Sequence, residues 1–349
     1  MEVISQSFDR LGQEEIQQYT ITNDHGMSVS CINYGCIITD IVTPDRDGKL
    51  ENVVLGFDNV GDYIEHAPYF GAMIGRVAGR IKGAQFELDG HVYSLDKNEK
   101  DNHLHGGKRT FHNVLWDATV IEDDEKSGVE FTYVSKDGEE GYPGNLNMTV
   151  TYVLNNDNEL TITATGFTDQ TTLLNVTNHT YFNLSGGLRR DILQHELTMK
   201  SDQFVQLNEE LLPTGRFLDV SDTPFDFRTA RKIVDGTVST DEQNILAGHG
   251  YDHPFLLNSN HDQEIQLYDE ESGRHLIVES NQPSVVVYTS NQINGGFKIG
   301  EVEARDYLGI CLETQGLPDA IHHPQFPPIV LKKGEQYNWT TTYKFAVVK

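Results

Sequence analysis

MTVTYVLNNDNELTITAT, residues 148–165, is the stretch that decides the fold class. At its two ends, residues 148–154 and 160–165, β-branched and aromatic residues alternate with polar ones. That alternation is the period of a strand with one buried face. Asn155–Asn158 between them is a run of turn formers, so the stretch predicts a β-hairpin.

The same pattern recurs along the chain. A second hairpin is predicted at Phe86–Leu95 around Asp89-Gly90, and further strands at Glu264–Asp269, His275–Ser280 and Ser284–Thr289. Helical signals are short and are confined to Val60–Glu65 and Asp241–Ala247. These observations predict an all-β protein, a large β-sandwich with few short helices.

Length and charge narrow the function classes. The chain has 349 residues and 37% hydrophobic residues, which is the balance of a globular protein, and we expect one domain over residues 1–349. Its formal net charge of −27 argues against nucleic acid and anionic membranes as partners. A neutral or cationic small molecule is the favoured ligand.

The N-terminal sequence and the cysteines indicate a compartment. The first 20 residues have neither the basic nor the apolar region of a signal peptide, and no apolar run approaches a membrane span. Cys31, Cys36 and Cys311 have no metal-type spacing and are odd in number. We therefore expect a reduced, cytoplasmic protein.

Two histidine-containing segments are candidates for chemistry. In Asn102–Gly107, His103 and His105 would share one face of an extended segment, as a metal pair, a catalytic pair or solvated side chains. No Glu follows shortly after them, which weakens the metal interpretation. Asn175–Leu184 has strand propensity interrupted by Asn residues and His179, which predicts either a buried polar network or a ligand wall.

Two carboxylates also stand out. Glu313 lies at the end of an apolar strand, where burial would raise its pKa towards the range of a general base. Taken alone, it would more often be a surface residue. Asp252 precedes His253-Pro254 and is suited to binding hydroxyls, to orienting a histidine or to closing an Asx-turn.

Gly75–Ile81 carries Arg76 and Arg80, four residues apart, which could bind a phosphate. The segment lacks the ending of a Walker loop, and the chain has no G-x-S-x-G or H-E-x-x-H motif. Nucleotide-dependent chemistry, serine hydrolysis and zinc proteolysis therefore have no support.

Taken together, the motifs resemble those of the aldose 1-epimerases, also called galactose mutarotases. The resemblance is specific because the motifs occur in the family's order and with its spacing over most of the chain. The matching segments are Asn33–Gly35, Val54–Asp58, Pro68–Ala72, Gly75-Arg76, Leu88–Gly90, Leu104–Gly107, Gly141–Gly144, Asn178–Leu184, Asp252–Phe255, Glu313–Gln315 and Pro324–Pro327.

The resemblance implies a fold and a set of roles. The fold is a galactose mutarotase-like β-supersandwich with an open sugar cleft, and the reaction needs no cofactor and no metal. The implied roles are Glu313 as general base, His179 as general acid, Arg80, His105 and Asp252 as sugar-binding residues, and Tyr181 and Tyr288 as walls against the sugar ring.

Two positions depart from the family pattern. Gly79 stands where many relatives have Asn, and Val286 where many have Gln. Both changes concern hydroxyl contacts and leave the acid–base pair intact.

The reaction so implied is the interconversion of sugar anomers. A base removes the C1 hydroxyl proton, an acid protonates the ring oxygen, and the open aldehyde recloses on its other face. We expect neighbouring carboxylates and the surplus of negative charge to keep His179 protonated, and burial to raise the pKa of Glu313. Cys311 shares a strand face with Glu313, so a thiol reagent would inhibit if that face borders the cleft.

Three alternatives are weighed against this reading. A non-catalytic sugar-binding protein would not need both Glu313 and His179, and a phosphosugar epimerase would favour basic residues at the cleft. A cupin-like metal isomerase would use His103, His105 and Glu313 as ligands. Either a monomer or a homodimer is compatible with the sequence.

Overall fold

A computed structural model describes residues 1–66, 69–122, 126–293 and 295–349, so Pro68 of the motif 68–72 lies outside the described residues. Antiparallel strands dominate it. The strands are β1 Glu2–Leu11, β2 Glu14–Thr22, β3 Ser28–Ile32, β4 Ile38–Pro44, β5 Leu50–Asn52, β6 Met73–Ile74, β7 Arg80–Ile81, β8 Gln85–Leu88, β9 His91–Ser94, β10 His103–Leu104, β11 Asp117–Glu122, β12 Lys126–Ser135, β13 Leu146–Asn155, β14 Glu159–Thr168, β15 Thr172–Leu173, β16 Thr177–Asn178, β17 Tyr181–Phe182, β18 Glu196–Met199, β19 Gln203–Leu207, β20 Pro213–Asp219, β21 Arg231–Lys232, β22 Asp252–Leu256, β23 Ile265–Tyr268, β24 Arg274–Ser280, β25 Ser284–Tyr288, β26 Lys298–Ile299, β27 Val302–Glu303, β28 Ile310–Gln315, β29 Val330–Leu331 and β30 Gln336–Val347.

Helices are few and short. They are α1 Val60–His66, α2 Val234–Thr237 and α3 Glu242–Leu246, with 3₁₀ turns at Lys82–Ala84, Phe111–Asn113, Glu139–Gly141 and Ala320–His322. Asp241 caps α3, because its side chain accepts a hydrogen bond from the backbone N–H of Gln243. No helix among the described residues is long and apolar enough to cross a membrane.

The predicted hairpins and strands are confirmed. Strands β13 and β14 pair antiparallel around the Asn-rich turn, from Leu154 opposite Leu160 to Leu146 opposite Thr168. Strands β8 and β9 form the hairpin around Asp89-Gly90. Strands β23, β24 and β25 lie at the three further predicted positions. The predicted helical segment 241–247 contains α3, and α1 extends one residue beyond the predicted segment 60–65.

Three sheets form the body of the molecule. Their strand orders are β1-β2-β3-β4-β5, β11-β12-β13-β14-β30-β24-β23-β18-β21 and β17-β28-β25-β22-β19-β20. One hydrophobic cluster joins them, because it contains Ile41 of the five-stranded sheet, Val150 and Trp339 of the nine-stranded sheet, and Leu312 of the six-stranded sheet. The assignment of residues 1–349 to one domain stays a prediction.

The six-stranded sheet sets up the functional site. In β28 the side chains of Ile310 and Leu312 join the common hydrophobic cluster, whereas Glu313 and Gln315 line a cleft on the opposite face. The cause is the two-residue period of a strand, which turns successive side chains to opposite faces of the sheet. All six residues of β28 are buried, so its carboxylate lies in a water-poor environment.

Candidate active site

Polar groups from several strands converge on a cleft of about 380 Å³ above the six-stranded sheet. That volume is in the range of small-molecule sites. All seven residues predicted for the site line it: Arg80, His105, His179, Tyr181, Asp252, Tyr288 and Glu313. Their placement around one cleft agrees with the sequence analysis, while the role of each stays a prediction.

Strand register explains why four of these residues meet. Glu313 lies opposite Val286, and Val286 lies opposite Pro254, which gives one row of side chains across the floor of the cleft. Directly opposite residues of antiparallel strands project from the same face. A second, parallel row runs across four strands and consists of Asp252, Tyr288, Cys311 and Tyr181.

The centre of the site is a carboxyl–imidazole pair. Oε1 of Glu313 lies 3.5 Å from Nε2 of His179, and the two side chains are only 4% and 5% exposed. The backbone of His179 is fixed on both sides, because its N–H donates to the carbonyl of Ala72 and its carbonyl accepts from the N–H of Gly71. The pair is therefore held in place before any ligand binds.

Burial decides the protonation of the carboxylates. It raises the pKa of Glu313 well above its usual value, and the charge of Asp252 raises it further, while Arg80 acts in the opposite direction. Burial also raises the pKa of Asp252, against the effect of Arg80. The raised pKa expected for Glu313 agrees with this finding.

The expectation for His179 is wrong. Burial lowers the pKa of its imidazole to about 3, so the ring is neutral at physiological pH. The physical reason is that desolvation penalises the charged ring more than the neighbouring carboxyl and the surplus of negative charge favour it.

The other ring nitrogen of His179 faces a thiol. Sγ of Cys311 lies 3.5 Å from Nδ1 of His179, and a hydrogen bond between the His179 ring and its own backbone opposes the fall of the pKa. We assign the ring proton of His179 to Nδ1, on the side of the Cys311 thiol, because Nε2 must be unprotonated to accept the proton of Glu313. Nε2 is then free to exchange protons with Glu313 and a ligand.

Cys311 is fully buried, and burial raises its pKa well above the usual thiol value. It shares the strand face of Glu313, as expected, but it is not among the residues that line the cleft. The reactive species of a cysteine is the thiolate, so we expect this thiol to resist reagents in the folded protein.

The two histidines of the segment 102–107 do not share a face, as an extended segment would require. His103 is fully buried and does not line the cleft, and its Nδ1 lies 2.7 Å from the carbonyl oxygen of Asp96. The strand ends at Leu104, and His105 has a left-handed φ of 51°, which turns its ring into the cleft. A local change of backbone conformation of this kind leaves no periodic signal in the sequence.

Gly79 holds His105 at two points. Its backbone N–H donates to Nδ1 of His105 at 3.2 Å, and its carbonyl accepts from the backbone N–H of His105 at 3.1 Å. Nδ1 is thus an acceptor, so the proton of the neutral ring is on Nε2. Burial lowers the pKa of His105 well below its usual value, which keeps the ring neutral.

The proposed phosphate site at Arg76 and Arg80 is wrong. Arg76 is 1% exposed and donates to the carbonyls of Ser135, Lys136, Pro143 and Gly144 at 2.9–3.0 Å. It is therefore a structural cross-link. Arg80 alone reaches the cleft, since it lies four residues further on in the separate strand β7.

Aromatic rings form one wall. The ring centroid of Tyr181 lies 5.1 Å from that of His179 and 6.1 Å from that of Tyr288. The rings of Tyr181 and Tyr288 meet edge-on. Tyr69, to which the sequence analysis assigned no role, has its centroid 4.9 Å from His105 and 5.7 Å from His179. The only sequence signal for Tyr69 was its place in the motif 68–72.

The asparagines of the segment 175–184 form a buried polar network, which was one of the two predictions for this segment. Asn175 donates to the carbonyl of Gly316 and accepts from its N–H, which fixes the chain just after Gln315. Asn178 donates to the carbonyl of Gly71, and Asn183 to that of Leu308. The same segment supplies His179 to the cleft, so both interpretations hold for different residues.

The two departures from the family pattern both line the cleft. Gly79 has a φ of 78°, and a Cβ atom there would lie 2.8 Å from Cβ of Pro318. Val286 separates Pro254 from Glu313 in the row described above and gives the floor an apolar patch.

Donor atoms of His105, His179 and Glu313 lie within 4.8 Å of one another, so this set has the composition of a metal site. It differs from the predicted cupin-like set, because His179 takes the place of His103. Independence of metal stays a prediction.

Comparison with known proteins decides the family. Residues 17–344 match the family model described as Aldose 1-epimerase. The chain belongs to the aldose 1-epimerase family. It is therefore an isomerase, as the sequence analysis predicted.

Relatives of this aldose 1-epimerase cover nearly its whole length. It is 42% identical over 340 residues to galactose mutarotase of Rattus norvegicus, which covers 96% of each chain. It is 33% identical over 347 residues to maltose epimerase of Levilactobacillus brevis, which covers 99% of each chain. A crystal structure of galactose 1-epimerase from Lactobacillus acidophilus matches with a TM-score of 0.90 and 31% identity, over 100% of this chain and 99% of that one. The predicted β-supersandwich is confirmed.

The contact between Cys311 and His179 yields a prediction. The Cys311→Ala variant should lower kcat about fivefold, which corresponds to the loss of one hydrogen bond of about 1 kcal/mol at Nδ1. KM should stay within twofold, because the thiol does not line the cleft. Steady-state polarimetry measures both constants.

Cys31→Ala is the matched control, because Cys31 is equally buried but lies in the core formed with the five-stranded sheet. It should lower the melting temperature and leave kcat unchanged. Equal losses of kcat in the two variants would show that Cys311 contributes only to packing.

Proposed function

We propose that this aldose 1-epimerase interconverts the α and β anomers of free, uncharged aldoses of the glucose and galactose type. The observation that carries the proposal is the buried pair in which Nε2 of His179 and Oε1 of Glu313 lie 3.5 Å apart on the wall of the cleft. A non-catalytic sugar-binding protein would have no need to desolvate an acid and a base side by side. The names of the relatives, galactose mutarotase and maltose epimerase, support the substrate class.

The reaction needs two proton transfers. Glu313 takes the proton of the C1 hydroxyl as the C1–O5 bond breaks, and His179 delivers a proton to O5, which gives the open aldehyde. Rotation about C1–C2 presents the other carbonyl face. In ring closure O5 attacks C1, His179 recovers its proton from O5, and Glu313 returns its proton to the oxygen on C1.

The pair must hold one proton in total for this cycle. Before a sugar binds, the raised pKa of Glu313 and the lowered pKa of His179 put this proton on the carboxyl. Transfer to Nε2 produces the carboxylate and the imidazolium that the cycle requires. The hydroxyl groups of a bound sugar favour this charge separation, because they solvate both charges.

The remaining predicted residues bind the sugar. Arg80 and Asp252 offer a charged donor and a charged acceptor to hydroxyl groups, and Nε2 of His105 offers a neutral donor. Tyr181 and Tyr288 form an apolar wall for the C–H groups of the ring. Cytoplasmic location, a monomeric or homodimeric state, and the exclusion of nucleic acid and membranes remain predictions from the sequence.

Replacement of the base is the first test. Glu313→Gln should lower kcat by about 10²–10⁴-fold, because an amide cannot accept the C1 proton. Initial-rate polarimetry of fresh α-D-glucose and α-D-galactose, corrected for the spontaneous rate, measures the loss. Glu301→Gln, at an exposed position, is the control and should keep full activity. Full activity of Glu313→Gln would refute the assignment of the base.

The single shared proton gives a pH dependence. The active one-proton form of the pair exists between the pKa of His179, about 3, and the raised pKa of Glu313. We therefore expect kcat/KM to stay constant as pH falls from 7 to 5. It should decline at alkaline pH, where the pair loses its proton. The pH profile of kcat/KM measures both limbs. A rate that falls on acidification from pH 7 to 5 would contradict this proton inventory, because the pair would then already take up a proton in a range where the lowered pKa of His179 excludes it.

A further inference from the structure

Arg80 is the only side chain with a permanent positive charge among the described residues that line the cleft. A guanidinium in such a place is well suited to phosphate or carboxylate groups, because its N–H groups match their oxygens in pairs. Selection of an uncharged sugar therefore requires something that occupies or neutralises this charge.

Glu99 meets that requirement. Its Oε1 accepts from Nε of Arg80 at 3.3 Å and from Nη2 of Arg80 at 3.2 Å. Both side chains are largely buried, with 24% and 16% exposure, so solvent screens the pair less than a surface ion pair. Glu99 does not itself line the cleft and thus acts through Arg80.

The loop that carries Glu99 is fixed to the strand that carries Arg80. Glu99 and Asn102 exchange two backbone hydrogen bonds, of 3.3 and 2.9 Å. The side chain of Asn98 binds both the N–H and the carbonyl of Leu104, which is paired with Arg80 between β10 and β7. Glu99 is therefore held in position beside Arg80 by its loop, unlike a mobile side chain in a surface ion pair.

The charge of Glu99 affects the pKa of a carboxyl group in the cleft. Arg80 lowers the pKa of Asp252, whereas Glu99 raises the pKa of the same carboxyl. The two charges thus offset each other at the far side of the cleft. With Arg80 neutralised, the ionised Asp252 would leave the cleft negative overall, and a sugar phosphate would be repelled.

We propose that Glu99 is a positioning and specificity-determining residue: it orients the Arg80 guanidinium towards neutral hydroxyl groups and cancels the charge with which Arg80 would otherwise bind an anionic sugar. This inference rests on the proposed epimerase function. It assigns the preference for uncharged over phosphorylated aldoses to a residue outside the cleft lining.

The test compares wild type and Glu99→Gln on D-glucose and D-glucose 6-phosphate, each corrected for its spontaneous rate. The variant should raise kcat/KM for glucose 6-phosphate about tenfold. This gain should shrink at roughly 0.5 M salt, because ions at that concentration screen exposed charges beyond a few Å. For glucose, KM should rise several-fold with little change in kcat, because the orientation of Arg80 is lost.

Two further variants separate charge from structure. Asp101→Asn removes one negative charge from the same loop at an exposed position and should leave both substrates unaffected. Glu99→Asp keeps the charge, so it should retain discrimination against the phosphate even if KM for glucose rises. If Glu99→Gln fails to fold, loss of discrimination in Glu99→Asp refutes the charge argument and its retention supports it.

The outcomes distinguish this inference from the proposed function. An unchanged ratio of the two kcat/KM values in folded Glu99→Gln, with an active wild type, would overturn the role of Glu99 alone. A wild type inactive on all uncharged aldoses would overturn the function on which the inference rests.

Discussion

Burial of one carboxyl group beside one imidazole is the constraint on which the site depends. Glu313 and His179 are nearly inaccessible to solvent, and desolvation moves their pKa values in opposite directions, so that neither group is charged before a sugar binds. A shared proton is the natural consequence of this arrangement. It suits a reaction that takes a proton from one oxygen and returns one to another, with no net change.

The scaffold serves to hold this pair in place. Alternation along β28 buries Leu312 in the core and turns Glu313 into the cleft. Asn175 clamps the chain where β28 ends, and backbone bonds to residues 71 and 72 fix His179. Cys311 completes the arrangement at Nδ1 of His179. Rigid support of this kind fixes the separation of acid and base without the help of a ligand.

Much of this was predictable from sequence because it follows from the two-residue period of strands. The hairpin at 148–165 follows from alternation, whereas the place of Glu313 in the cleft was implied by the family resemblance and is explained by alternation along β28. The predictions that proved wrong concern features that depend on tertiary packing. The protonation of His179 is set by its surroundings, the left-handed turn at His105 separates it from His103, and the burial of Arg76 removes it from the phosphate site expected with Arg80. None of these three features has a local sequence signal.

Direct observation of the shared proton tests the account most sharply. With ¹³C-labelled Glu and ¹⁵N-labelled His, NMR titration of the sugar-free protein reports both groups, and Glu313→Gln and His179→Gln spectra assign the resonances. The account predicts a carboxyl carbon for Glu313 that titrates well above pH 4.5 and a ring for His179 that stays neutral, protonated on Nδ1, at pH 7. An imidazolium at His179 together with a carboxylate at Glu313 at pH 7 would contradict it.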